Sequence, residues 1–135
     1  MTITQHKILI IDDNYDEVLI TEKVISAMAF DFDIAIETAP SGEAGLSILK
    51  SEKELPSLIF LDLKMPGMGG INMLRQLRSD ERLKYLQVVV LTNSSLEADR
   101  VEAMKAGADG FLHKAFDLDQ FGKDLKSILE SKLKN

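Results

Sequence analysis

At 135 residues, 45% hydrophobic and 28% charged, the chain is long enough for one domain with its own core and too short for two. Its 22 acids against 16 bases leave a net charge of −6, which argues against general affinity for nucleic acid or anionic membranes. Without cysteine there are no disulfides, no thiol catalysis and no thiolate metal sites. No apolar run approaches a membrane span, and the first one, Ile8 to Ile11, stops at two aspartates and cannot be a signal-peptide core. A cytoplasmic location is expected.

Strand and helix alternate five times along the sequence. Lys7 to Ile11 is a continuously apolar strand ending in Asp12-Asp13, and a helix is predicted from Tyr15 to Met28 on the spacing of Val18, Thr21, Ile25 and Met28. Asp33 to Thr38 alternates acids with isoleucine, as a half-exposed edge strand does. Ser41 is a suitable N-cap for a second helix to about Glu52, with Ala44 and Ile48 on one side. Leu58-Ile59-Phe60-Leu61 then reads as a strand buried on both faces. It ends on the bare carboxylate of Asp62, beyond which Pro66, Gly67, Gly69 and Gly70 forbid continuation. A third helix follows from Ile71 to about Ser79, and a fully apolar strand from Gln87 to Thr92. Ser94 with Glu97 predicts a capping box opening the fourth helix, and Gly107 its stop. Gly110 to Lys114 is a short fifth strand. Asp117 with Gln120 caps the last helix, whose predicted stripe is Leu118, Phe121, Leu125 and Ile128.

Such alternation means βαβ units, hence a parallel sheet with helices on both faces. The fully apolar strands one, three and four belong in the middle, and strands two and five at the edges. Right-handed crossovers then favour the order 2-1-3-4-5. Its switch point lies between strands one and three, beyond whose carboxyl ends ligands bind. Those two strands end at Asp12-Asp13 and Asp62.

Three carboxylates converging on one crevice repel one another, and either a raised pKa or a divalent cation must compensate. An oxygen-only set with room for water and phosphate suits Mg²⁺. The fourth strand brings the Thr92 hydroxyl to the same edge, and the fifth brings the Lys114 ammonium. The combination fits phosphoryl transfer to Asp62.

Asp12-Asp13, Asp62 with Met65-Pro66 and Gly70, Thr92 and Lys114 together resemble the CheY-like receiver domain of two-component response regulators. The likeness runs from about Lys7 to Leu133 and is strongest to stand-alone receivers, including those that partner cyanobacterial phytochromes. It implies a flavodoxin-like, doubly wound (βα)5 fold over residues 1–135, with no output domain. Asp62 would accept phosphate from a sensor histidine kinase or histidine phosphotransfer protein. Asp13, Asp62 and the backbone carbonyl of Lys64 would hold Mg²⁺, with Asp12 assisting through water. Lys114 would contact the phosphate, and Thr92 would swing towards it, letting Phe111 turn inward and remodel the surface of helix four, strand five and helix five. An unidentified downstream protein or a second copy of the chain would read that surface. No catalysis is expected beyond the chain's own phosphorylation and dephosphorylation.

The chain departs from the family pattern in places. Ala115 follows Lys114 where proline is usual, and Asn93 follows Thr92 where a smaller residue is common. Lys64 and Ser94, at positions that tune phosphate lifetime in the family, cannot strongly orient an attacking water. Slow self-dephosphorylation is the expectation. Lys64 also stands where aspartyl-nucleophile phosphohydrolases need a second acid. The acidic turn Asp12-Asp13-Asn14 would repel the phosphate of a flavin. His6 and His113 read as plain surface residues.

Overall fold

The computed structural model describes residues 5–114 and 117–133. Five parallel strands, β1 (Gln5–Ile11), β2 (Asp33–Ala39), β3 (Leu58–Leu61), β4 (Val88–Thr92) and β5 (Gly110–His113), form one sheet in the order β2-β1-β3-β4-β5. Helices α1 (Tyr15–Ser26), α2 (Gly42–Ser51), α3 (Gly69–Ser79), α4 (Glu97–Lys105) and α5 (Leu118–Lys132) connect and cover it. The order expected from strand hydrophobicity is the order found. All residues of β3 and β4 are buried, whereas edge strand β2 buries only Ala39.

Because side chains alternate across a strand, each central strand feeds two cores. Leu9, Ile11, Ile59, Leu61, Val88 and Val90 face α2, α3 and α4 through Leu49, Met73, Leu74, Leu77 and Ala103. Ile8, Ile10, Phe60, Val89 and Leu91 face α1 and α5 through Val18, Ile25, Phe121, Leu125 and Leu129. The last helix therefore buries Phe121, Leu125 and Leu129, and the predicted stripe is turned slightly: Leu118 is exposed and Ile128 half-buried. In α2 the buried line is Gly42, Gly45, Leu46 and Leu49, with Ala44 and Ile48 packed at its margin.

The helix starts follow local chemistry. Asn14, Ser41 and Asp117 cap α1, α2 and α5 by accepting backbone N–H bonds. The capping box predicted for α4 is not formed. That helix starts after Leu96 with no side-chain cap; the Ser94 hydroxyl donates to Asp99, and Glu97 pairs with Arg100. Its predicted stop is present, with Gly107 at φ +109°, a left-handed conformation that favours glycine. Ala115 lies outside the described residues.

Gly70 holds α3 hard against the loop that follows β3. A Cβ there would stand 2.2 Å from the Asp62 carbonyl oxygen and 2.7 Å from the Leu63 Cα, both backbone atoms that cannot step aside. Gly70→Ala is expected to cost about 1–3 kcal/mol in urea unfolding; a loss below about 0.5 kcal/mol would contradict this tight fit.

Candidate functional site

The carboxyl ends of β1, β3, β4 and β5 lie side by side, and backbone bonds extend the ladders past the strands. The Asp12 N–H donates to the Ala39 carbonyl at 3.1 Å, the Asp62 N–H to the Ile11 carbonyl at 3.0 Å, and the Lys114 N–H to the Thr92 carbonyl at 2.8 Å. Backbone geometry thus sets where these side chains begin. Among the described residues, the buried polar or charged positions are Asp12, Thr21, Asp62, Thr92 and Lys114. Four of these five belong to this one edge. A protein rarely buries carboxylates and an ammonium without pairing or using them.

The pairing is tight. The Lys114 Nζ stands 2.5 Å from Asp12 Oδ2, 3.2 Å from Glu17 Oε2 and 4.0 Å from Asp62 Oδ2. Lys114 is no surface lysine: its side chain is 9% exposed. Burial pulls its pKa down, but the bond to Asp12 and the charges of Asp12, Asp62 and Glu17 outweigh this, so the ammonium is held charged. Asp13 is exposed, and one carboxylate oxygen from each of Asp12, Asp13 and Asp62 lies within 4.8 Å of the others.

Burial first, and the Asp12 charge after it, raise the Asp62 carboxyl, which is pushed up to about 6. The Lys114 charge, the Lys64 backbone N–H and the Thr92 hydroxyl oppose the rise without cancelling it. With Asp12, Asp13, Glu17 and Asp62 gathered around the single Lys114 ammonium, the cluster is short of positive charge. Its oxygen-only donors and its unrelieved acid both fit a hard divalent cation, for which Asp12, Asp13 and Asp62 are the candidate ligands.

An open cleft of about 700 Å³ lies above Asp62, bordered by Asp13, Lys64, Thr92, Asn93, Ser94 and Asp99. The Lys64 backbone N–H lies 3.4 Å from Asp62 Oδ1, while its ammonium turns outward to Asp99 at 3.3 Å. Asp99 also accepts from the Ser94 hydroxyl, so one acid joins the two residues that follow Asp62 and Thr92 at the same interval. The Asn93 side-chain amide donates to Glu17, and the Asn93 backbone carbonyl meets His113 Nε2 at 2.9 Å. Phe111 lies outside the cleft, half-buried against the core on the α4 side. His113 is exposed as expected. His6 is not: it is half-buried, bonded to the Ser57 hydroxyl and set edge-on to Phe32.

Reading the residues alone passed over Glu17 and Asp99. Each stands in the first turn of a helix that starts at the cleft, and side chains there lean back towards the helix N-terminus. That lean is the signal that could have found them.

The raised Asp62 sets a pH dependence. Its folded value near 6 lies above the ordinary 3.8, so the folded state binds the proton more tightly. The contribution of Asp62 to stability is then fullest below the ordinary value and is lost as pH rises through 6. Without divalent cations, Asp62→Asn is expected to be more stable than the wild type at pH 8, by on the order of 2 kcal/mol. The gain should shrink as pH falls from 6 towards 4 in thermal unfolding, and a pH-independent difference would contradict the assignment.

The sequence profile of the response regulator receiver domain matches residues 8–126. Chemotaxis protein CheY-3 of Vibrio cholerae is 32% identical over 124 residues, spanning 92% of this chain and 92% of its own. The crystal structure of the phosphorylated cyanobacterial phytochrome response regulator RcpA superposes with a TM-score of 0.85 at 26% identity, over 97% of this chain and 96% of that one. The Mn²⁺-bound form of response regulator Rcp1 gives 0.80 at 25% identity, over 96% of each chain. Several longer curated relatives match over only part of their length, the chain spanning 27% of one and 51% of another. With five parallel strands in the order 2-1-3-4-5 and its acids at the switch point, the chain belongs to the response regulator receiver domain family of two-component signalling.

Proposed function

We propose that the chain is a Mg²⁺-dependent phosphoacceptor, with Asp62 taking a phosphoryl group from a phosphohistidine of a sensor kinase or a histidine phosphotransfer protein. The observation that carries this reading is the buried Asp62 carboxylate beneath an open, acid-lined cleft, with the Lys114 ammonium 4.0 Å away. One Asp62 oxygen bonds to phosphorus, the P–N bond of the phosphoimidazole breaks, and the freed imidazole takes up a proton. Asp13, Asp62 and the Lys64 carbonyl would hold Mg²⁺, with Asp12 assisting through water. When bound, the ion offsets negative charge on the transferring group. Lys114 supplies the second positive charge, and Thr92 supplies a hydroxyl beside the acceptor. The catalysis proposed is confined to phosphorylation and dephosphorylation of the chain's own carboxylate.

The signal would leave through α4, β5 and α5. The α4 helix buries a single residue, Ala103, while its Val101 and Met104 side chains are exposed. An element held by so little apolar contact is cheap to shift. Movement of Thr92 towards the phosphoryl group and of Phe111 inward would alter this face for a downstream protein or a second copy of the chain.

Acetyl phosphate with Mg²⁺ is expected to add one phosphoryl mass to the intact protein, and to add none to Asp62→Ala or without the metal. A persistent adduct in Asp62→Ala would overturn the assignment. The phosphoryl group is expected to last minutes or longer, because Lys64 and Ser94 are engaged by Asp99 and neither presents a carboxylate or carboxamide to an attacking water. Complete loss within seconds after removal of the donor would contradict this.

A further inference from the structure

Phosphoryl transfer to Asp62 assigns Glu17 no task, although Glu17 pairs with the Lys114 ammonium. Its carboxylate spans two loops at once. One oxygen accepts from the Asn93 amide after β4, and the other pairs with the Lys114 ammonium after β5 at 3.2 Å. The Asn93 carbonyl in turn meets the His113 ring, one residue before Lys114. A closed ring, Glu17–Asn93–His113–Lys114, therefore ties α1 to both loops beside the acceptor. The ammonium inside it lies nearer to Asp12 and Glu17 than to Asp62.

We propose that Glu17 is a positioning residue that latches Lys114 away from Asp62 in the unphosphorylated protein, so that releasing this ion pair is part of each phosphorylation event. The inference rests on Asp62 being the phosphoacceptor. A phosphoryl group on Asp62 brings more negative charge to that side of the ammonium, which then turns from Glu17 towards it. Glu17 opposes this in two ways. Its attraction holds the ammonium back, and its own charge repels the arriving phosphoryl group. The Glu17 side chain is 24% exposed, so solvent screens this contact only in part. Asn93 fixes the direction of the latch, since its amide holds the Glu17 oxygen that Lys114 does not use.

The test uses Glu17→Gln, which keeps an oxygen to accept from Asn93 but loses the charge. Its control is Asp16→Asn, which removes an exposed acid from the same first helical turn that makes no ion pair with Lys114. Two quantities are read on the full chain. One is the rate at which acetyl phosphate with Mg²⁺ forms the Asp62 adduct, one Asp62 oxygen bonding to phosphorus as the P–O bond breaks and acetate leaves. The other, without phosphodonor, is acylation of the Lys114 amine by an amine-reactive reagent, mapped by peptide mass. Glu17→Gln is expected to speed adduct formation roughly three- to tenfold, the scale of one partly screened charge. It should also increase Lys114 acylation, and both effects should persist at high salt. Asp16→Asn should produce neither. Unchanged Lys114 acylation in Glu17→Gln, or equal acceleration by Asp16→Asn that vanishes with salt, overturns the latch and leaves the phosphoacceptor standing. Absence of any adduct on the wild-type chain overturns the phosphoacceptor and, with it, the gating role of Glu17.

Discussion

The buried ion pair between Lys114 and Asp12, 2.5 Å long with side chains 9% and 5% exposed, is the contact on which the rest of the site depends. Two charges out of water are stable only together, and removing one partner of such a pair strands the other. Here the pair also carries a third charge, because Asp62 lies 4.0 Å from the same ammonium. One cation shared among Asp12, Glu17 and Asp62 cannot neutralise them all. Burial adds its own cost at Asp62, whose carboxyl is pushed up to about 6. A site left short of positive charge in this way favours both a divalent cation and a change of partner by Lys114.

The central strands and α4 draw on opposite ends of the stability scale. Central strands β3 and β4 are buried throughout, and the ladder bonds that reach Asp12, Asp62 and Lys114 hold the backbone of the site on that rigid base. Gly70 adds a contact too close for any side chain, fixing the loop after Asp62 against α3. The α4 helix instead rests on Ala103 alone, lacks a side-chain cap, and reaches the cleft through Asp99, which joins Lys64 and Ser94. Asp62 therefore stands on a stiff floor beside a loosely held wall.

Much of this was legible in the sequence because the decisive features are local. Apolar runs that end abruptly in acids place Asp12, Asp13 and Asp62, and strand hydrophobicity separates centre from edge well enough to give the strand order. Contacts between distant segments were not legible. That Lys114 pairs with Asp12 and Glu17 depends on how far a lysine reaches across a sheet edge, which spacing does not encode. The Ser94–Glu97 capping pattern was misleading because other local contacts outbid it. Asp99 takes the Ser94 hydroxyl, Arg100 takes Glu97, and the helix begins later. Leu118 matched the apolar stripe of α5, yet it is the first residue of the helix and stays exposed. His6 reads as a plain surface residue in the sequence, but β1 begins at Gln5 and includes it, and its ring lies edge-on to Phe32.

The central claim is that Asp62 is a buried acid whose charge the protein alone leaves incompletely balanced. The direct measurement is a carbon-13 NMR titration of the Asp62 carboxyl, first without divalent cations and then with Mg²⁺. A midpoint near 6 that moves down when Mg²⁺ is added is the expected result. A midpoint in the ordinary carboxylate range, unmoved by Mg²⁺, would contradict the account.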